Sequence, residues 1–177
     1  MKSKAPLILS IFVFGLLPGG SLSAQVSPRD WRDIPLRDVI SGETFRISDF
    51  ADQTVLLESF AVWCPTCTKQ QEEVRKLHEQ VGDRVISISL EVDPNEDEQL
   101  VREHALRNGF HWRYAVAPPE LTRALIDRFG TAIVAAPSAP MILICGEGSE
   151  DQEARLLKLG VKKADRLLEE IQRGCSS

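Results

Sequence analysis

The sequence predicts an α/β domain, and three observations carry that expectation. Residues 55–60 (Val-Leu-Leu-Glu-Ser-Phe) are a short apolar run with one acid inside it, the pattern of a buried central strand. The chain then turns at 61–63 and delivers Cys64 and Cys67, with two residues between them, into a polar, helix-forming stretch. Beyond that point, segments of period two and period 3.6 alternate as far as residue 108. A β–α–β–α order of this kind calls for parallel strands joined by a right-handed crossover.

Taken in order, residues 25–33 are a polar lead-in without periodicity. Residues 34–40 and 44–47 flank Ser41-Gly42-Glu43 and read as a β-hairpin, and Ser48-Asp49-Phe50 suits a single helical turn. After the cysteines, 68–82 carries Val74, Leu77 and Val81 on one face and stops at Gly82. In 84–92, Ile86, Ile88, Leu90 and Val92 alternate with Ser87, Ser89 and Glu91, a strand by period. Asp93-Pro94-Asn95 breaks it. Residues 96–108 form a second helix with Leu100, Val101 and Ala105 inward and Gly109 as its stop, His104 lying at the edge of that face.

Residues 110–116 are a short extended piece. Pro118-Pro119-Glu120 opens a third helix with Leu121, Leu125 and Phe129 on its apolar face, closed by Gly130. A small, apolar loop with two prolines fills 131–139. Strands at 141–145 and 153–159, joined by a turn at 146–151, make a second hairpin. The last helix, 163–173, turns Leu167, Leu168 and Ile171 inward.

The first 24 of the 177 residues read as a secretory signal: Lys2 and Lys4, an apolar run at 7–17, then Pro18-Gly19-Gly20 and small residues up to Ala24. That run is too short for an ordinary spanning helix. Cleavage is expected after Ser23 or Ala24, with an uncleaved N-terminal anchor as the alternative. No cysteine stands at the junction for a lipid. A mature chain of about 153 residues, 34–177 being the folded domain, suits one core. Without Lys2 and Lys4, 19 of the 21 basic residues remain against 26 acidic ones, a net charge of −7. That balance disfavours nucleic acid or an anionic membrane as the main partner. Export, to the periplasm or beyond, places the cysteines where a disulfide persists.

The chemistry lies in the cysteine pair. At a strand-to-helix junction, unpaired N–H groups and the positive end of the helix dipole favour a thiolate on the first sulfur. Cys64 is therefore the expected nucleophile and the more exposed sulfur, and Cys67 the resolving thiol. Pro65 suits the first helical turn, where its missing N–H costs nothing. A zinc site would need two further ligands at suitable spacing, but Cys145 and Cys175 are single and His78, His104 and His111 isolated. A purely structural disulfide in so small a ring would stabilise little. Glu58, inside the apolar run, must be protonated or paired. It could accept the Cys67 proton, or form an ion pair with a lysine or arginine. Cys145 is expected to be a small buried hydrophobe, and Cys175 could pair with it or with another chain.

Trp63-Cys64-Pro65-Thr66-Cys67 after an apolar strand resembles the thioredoxin superfamily, and within it the exported thioredoxin-like reductases of bacteria that include the cytochrome-c-maturation thioredoxins. The resemblance spans 34 to the C-terminus as an order of elements, but only the cysteine stretch has the strength of a motif. It implies a thioredoxin-like three-layer sandwich, with a central mixed sheet, an N-terminal hairpin and flanking helices. It also implies a redox-active disulfide needing no cofactor or metal, and a buried acid at Glu58 whose usual lysine neighbour is replaced here by Ser89. A cis-proline set against the cysteines falls at Pro140, with Pro137 as competitor. That would free the backbone of Ala139 for a substrate strand. Trp63, Pro65 and Thr66 would complete the contact surface. The implied partners are exported proteins bearing thiols or disulfides and a membrane electron donor, the chain acting as a monomer. Two rivals are a thioredoxin-fold Cu(I)-delivery protein, which uses a wider cysteine spacing and a later histidine absent from 131–145, and a peroxidase relative with a single peroxidatic cysteine.

Overall fold

The computed structural model of the protein describes residues 30–146 and 154–175. The expected signal at 1–24, most of the lead-in and the turn of the C-terminal hairpin lie outside the described residues. A 3-10 turn, Trp31–Asp33, capped by Asp30, leads into β1 (Leu36–Arg37) and β2 (Thr44–Phe45), paired antiparallel with Leu36 opposite Phe45. The strands are shorter than their sequence pattern because Asp38 draws the chain away from the ladder. Its carboxylate accepts from the Ser41 hydroxyl at 2.8 Å and from the backbone N–H of Ile40 and Tyr114, each at 3.2 Å. Side-chain bonds to the backbone thus displace strand pairing locally. Gly42, with φ of 79°, makes the turn.

A second 3-10 turn, Ile47–Phe50, precedes the central strand β3 (Thr54–Phe60). The chain continues through α1 (Pro65–Val81), β4 (Val85–Glu91), α2 (Glu98–Asn108), β5 (Arg113–Val116) and α3 (Pro119–Phe129). Strands β6 (Met141–Ile144) and β7 (Arg155–Leu156) and helix α4 (Ala164–Gly174) complete it. Strand order is β5-β4-β3-β6-β7, with β3, β4 and β5 parallel, β6 antiparallel to β3 and β7 antiparallel to β6, a mixed sheet.

Every residue of β3 from Val55 to Phe60 is buried. Side chains alternate across a strand, so Val55 and Leu57 face a core built with Leu36, Phe45, Leu121, Leu125 and Ile133. Leu56 faces the opposite layer, where Val74 and Leu77 of α1 meet Leu167 and Ile171 of α4. Glu58 shares the face of Leu56 and stands opposite Ser89 in the parallel register. A third cluster joins Phe60, Cys64, Cys67, Val101, Ala105, Phe110 and Tyr114 at the C-terminal end of β3.

One expectation about the helices is met and one needs correction. Helix α1 begins at Pro65, as expected from Cys64 at the helix start, and Cys64 itself caps it. In α2 the inward residues are Val101, His104 and Ala105, whereas Leu100 is 42% exposed. Asp97 caps the helix through the Leu100 N–H at 3.0 Å, which sets the phase and places a histidine where an apolar residue was expected.

Cys145 and Cys175 form a disulfide, with Cα atoms 5.1 Å apart, tying the end of β6 to the end of α4. Cys145 is thus a bridge as well as a buried residue. Beside it, the Arg155 guanidinium donates to the Glu170 carbonyl at 3.0 Å. The bridge closes a loop of 30 residues. By chain entropy that is worth up to about 3.5 kcal/mol. Replacing both cysteines by alanine should lower stability to urea by an amount up to that figure while leaving disulfide exchange at Cys64 and Cys67 intact. Loss of exchange at unchanged stability would contradict a structural role.

Candidate active site

Cys64 and Cys67 are joined, with Cα atoms 5.3 Å apart, at the first turn of α1. Cys64 is the N-cap: its Sγ accepts the Cys67 N–H at 3.1 Å, and its carbonyl accepts the Thr68 N–H at 3.2 Å. A sulfur receiving a helix-start N–H is held where negative charge is favoured. Pro65 occupies N1 and is exposed, and Thr66 is half-buried. The expected contrast in exposure is absent, since Cys64 is 1% exposed and Cys67 0%. What shields Cys64 is its own cap geometry together with the apolar cluster around Phe60 and Tyr114. Trp63 is 57% exposed and donates its indole N–H to Asp93 Oδ2 at 2.7 Å, so it stands beside the pair as open apolar surface.

The loop facing the sulfurs differs from expectation. Peptide bonds are trans throughout the described residues, those before Pro137 and Pro140 included. The bend comes instead from Ala139, in the left-handed region at φ 45°, ψ 58°. Ala139 and Pro140 are buried, and part of their backbone is engaged within the protein. The Ala139 N–H donates to Ala136 at 2.9 Å, and the Pro140 carbonyl accepts from Ser59 of β3 at 3.2 Å. The loop reaches the pair through Ala136, whose carbonyl oxygen lies 3.1 Å from Cys67 Sγ. In the reduced state that oxygen is placed to accept the Cys67 thiol hydrogen. On the other side, Gln70 of α1 clasps the backbone of Lys162, accepting its N–H at 2.6 Å and donating to its carbonyl at 3.2 Å.

Glu58 is 2% exposed and forms no ion pair among the described residues. Burial pushes its carboxyl up to about 8. The hydrogen bond from Ser89, then the more distant charge of Lys162, offset only part of that rise. Lys162 is itself pushed down by burial and donates its ammonium to the Gly160 carbonyl. The ion-pair alternative for Glu58 is therefore not realised.

Of the groups around Glu58, the resemblance places Ser89 beside it, whereas Trp112 and Gln71 are not foreseen. Ser89 Oγ donates to Glu58 Oε2 at 3.1 Å, and the Trp112 indole N–H donates to the same Ser89 oxygen at 3.0 Å. An indole can only donate, so Trp112 occupies the acceptor side of Ser89 and turns the hydroxyl hydrogen toward Glu58. Gln71 Oε1 bonds His104 Nε2 at 2.7 Å, and Asn108 approaches the other ring nitrogen at 3.5 Å. With Asn108 donating, the proton sits on Nε2, and burial holds the ring neutral by lowering its pKa. Glu58 Oε1, Gln71 Nε2 and the Tyr114 hydroxyl are buried without a partner within hydrogen-bond distance. An open carboxyl oxygen in a buried setting leaves Glu58 short of donors for its charged form, in keeping with its raised pKa. The signal for Ser89 was its place opposite Glu58. Nothing in the sequence pointed to Trp112.

The redoxin family model matches residues 35–144, well over half of the chain, and the protein belongs to that family. No curated protein is significantly similar to it. Among solved structures, the chain resembles a thiol:disulfide interchange protein of the thioredoxin family from Chlorobium tepidum, at 17% identity and TM-score 0.63, covering 80% of this chain and 92% of that one. It also resembles a secreted Mycobacterium tuberculosis disulfide oxidoreductase homologous to E. coli DsbE, at 11% identity and TM-score 0.59, covering 82% and 99%. A third likeness is to BsSco, a member of the Sco family of cytochrome c oxidase assembly proteins, at 16% identity and TM-score 0.62, covering 80% and 90%. At these identities the likeness establishes the thioredoxin-like fold, here carrying a Cys-X-X-Cys disulfide.

The burial of Glu58 predicts a pH dependence. Its folded pKa, about 8, lies above its ordinary value of 4.5, so its cost is absent below about pH 4.5, where folded and unfolded chains are both protonated. The cost grows as pH rises through that value and levels off above the folded one. Glu58→Gln should thus gain stability over the wild type between pH 4.5 and 8, by roughly 3 kcal/mol at pH 7. Chemical denaturation across that range checks it, and a gap that does not change with pH would contradict it.

Proposed function

We propose that this chain is an exported thiol–disulfide oxidoreductase that reduces disulfides in partner proteins. The observation that carries the reading is the Cys64–Cys67 disulfide at the start of α1, with the Cys67 N–H aimed at Cys64 Sγ. In the reduced protein the Cys64 thiolate attacks one sulfur of a partner disulfide, forming a mixed disulfide and releasing the other partner sulfur as a thiolate. Cys67 then gives up its proton, attacks Cys64 Sγ and releases the second partner thiolate, leaving the intramolecular disulfide. Two electrons pass to the partner. A donor disulfide reductase, expected in the membrane, must return them.

Glu58 is the proposed acceptor of the Cys67 proton. A carboxyl near 8 is close to the ordinary thiol value of about 8.5, so the transfer is nearly balanced in energy. Ser89 and Trp112 supply the fixed donor that steadies the resulting carboxylate, in place of a lysine. Trp63, Pro65 and Thr66 are the proposed contact surface, with Ala139 and Pro140 backing the loop rather than pairing with substrate. Export is supported by the basic, apolar, small-residue order at 1–24 and by a second disulfide that persists only where thiols are not kept reduced. Among the described residues no helix is long and apolar enough to cross a membrane. Cu(I) delivery by the two thiolates is the second reading, on a fold shared with a Sco-family protein.

Cys64→Ser should abolish insulin-disulfide reduction, and Cys67→Ser should accumulate mixed disulfides with partners. Preferential alkylation of Cys67 at neutral pH would reverse the assignment of roles. A reduction potential near that of thioredoxin, about −270 mV, supports the reducing direction, whereas one near −120 mV would make the protein an oxidant. Tight, stoichiometric Cu(I) binding by the reduced protein, without disulfide exchange, would favour delivery.

A second expectation concerns the resolving step. Resolution of the mixed disulfide should quicken as pH rises toward 8, and in Glu58→Gln that rise should shift to higher pH and follow the Cys67 thiol alone. Single-turnover reduction of a model disulfide measures it, and an unchanged profile in the variant would remove Glu58 from the reaction.

A further inference from the structure

The loop at 61–63, which delivers Cys64, hangs from two carboxyl groups that the reaction above does not use. The Val62 N–H donates to Glu91 Oε2 at 3.0 Å and to Glu96 Oε2 at 2.7 Å. The other Glu91 oxygen accepts the Asp93 N–H at 2.7 Å. Glu91 is buried at the end of β4, and Glu96 is half-buried in the turn before α2. Among the described residues no lysine or arginine forms an ion pair with either. Arg37 is engaged by Glu98, and Arg102 of α2 by the carbonyls of Val39 and Ile40.

Two bare carboxylates converging on a single N–H repel more than that bond can offset, so the pair retains one proton between its oxygens. Burial, and then the hydrogen bond to Glu96, push Glu91 up to about 9. Among the described residues, Asp93 and His104 also face this corner. Asp93 lies in the same turn and is engaged by the Trp63 indole and by Asn95. His104 faces Glu96 from α2, and burial favours its neutral ring.

We propose that Glu91 and Glu96 are positioning residues that share one proton and hold the Val62 N–H, so that the loop presents Cys64 at the helix start with only one negative charge beside it. The proposal rests on the reading of Cys64 as the attacking sulfur. A proton held there spares the forming thiolate a second anion. When the pair loses that proton, the added charge loosens Val62 and disfavours the thiolate.

The test is the pH profile of iodoacetamide alkylation at Cys64 in the fully reduced full chain. The wild type should show the thiol ionisation and a second inflection near pH 9. Glu91→Gln leaves the half-exposed Glu96 carboxylate, so its rate at pH 6 should match the wild type while the alkaline inflection disappears. Glu96→Gln leaves a buried carboxyl raised chiefly by burial, and its rate at pH 6 should rise about three-fold with the loss of one nearby charge. A merely structural pair would lower stability in both variants without moving either feature. A single ionisation in the wild type, an inflection that survives Glu91→Gln, or an unchanged pH 6 rate in Glu96→Gln overturns the proposal. Failure of Cys64 to be the reactive thiol in the wild type would instead sink the functional reading beneath it.

Discussion

A carboxyl group without a cation, in the middle of the central strand, is the constraint around which the rest is arranged. Glu58 has β4 on one side and β6 on the other, and strands so placed are ordinarily apolar on both faces. Keeping an acid there requires that it be neutral or well solvated by fixed dipoles. The chain does some of each. Burial raises the carboxyl, and the Ser89 hydroxyl, locked by the Trp112 indole, supplies one donor to its charged form. The same face of the sheet carries Ser87 and Glu91, also buried, so a row of polar groups runs beneath α1. Its members continue outward through Gln71 and His104, and through His78, which bonds Ser87 at 2.9 Å.

This polar row ends where the sulfurs begin. Cys67 belongs to the cluster that contains Phe60 and Tyr114, the residues bordering Glu58 and Ser89 on that side. Thiol–disulfide exchange moves protons as well as electrons, and a desolvated acid can be matched to a thiol without a metal or cofactor. Glu58 and the Glu91–Glu96 pair solve two versions of one electrostatic problem. Glu58 and Glu91 are both buried on the sheet, and each is raised chiefly by loss of water. They differ in what they hold: one has a side-chain hydroxyl and one has the backbone of the cysteine loop.

Much of this was legible in the sequence because the information was local. The cysteine spacing, the apolar run before it and the helix stop at Gly82 each depend on a few neighbouring residues, and Glu58 stood out as a lone acid among apolar side chains. The rest depended on distant contacts. The alternation in 84–92 showed a strand but not that its polar face is buried, which only the packing of α1 determines. Asp38 shortened the hairpin by reaching Tyr114, 76 residues away. The Cys145–Cys175 pairing likewise required the fold. In the loop at 131–139, two prolines in similar settings obscured a backbone bend that resides in Ala139, since composition does not reveal an alanine at positive φ.

The central claim is that Glu58 is neutral in the oxidised protein at neutral pH and available to exchange a proton with Cys67. Carbon-13 NMR of the glutamate side-chain carboxyls reads this directly, with Glu58→Gln assigning the resonance. A Glu58 midpoint close to 8 in the oxidised protein is the predicted result. A midpoint near 4.5, the ordinary value for a glutamate, would contradict the account.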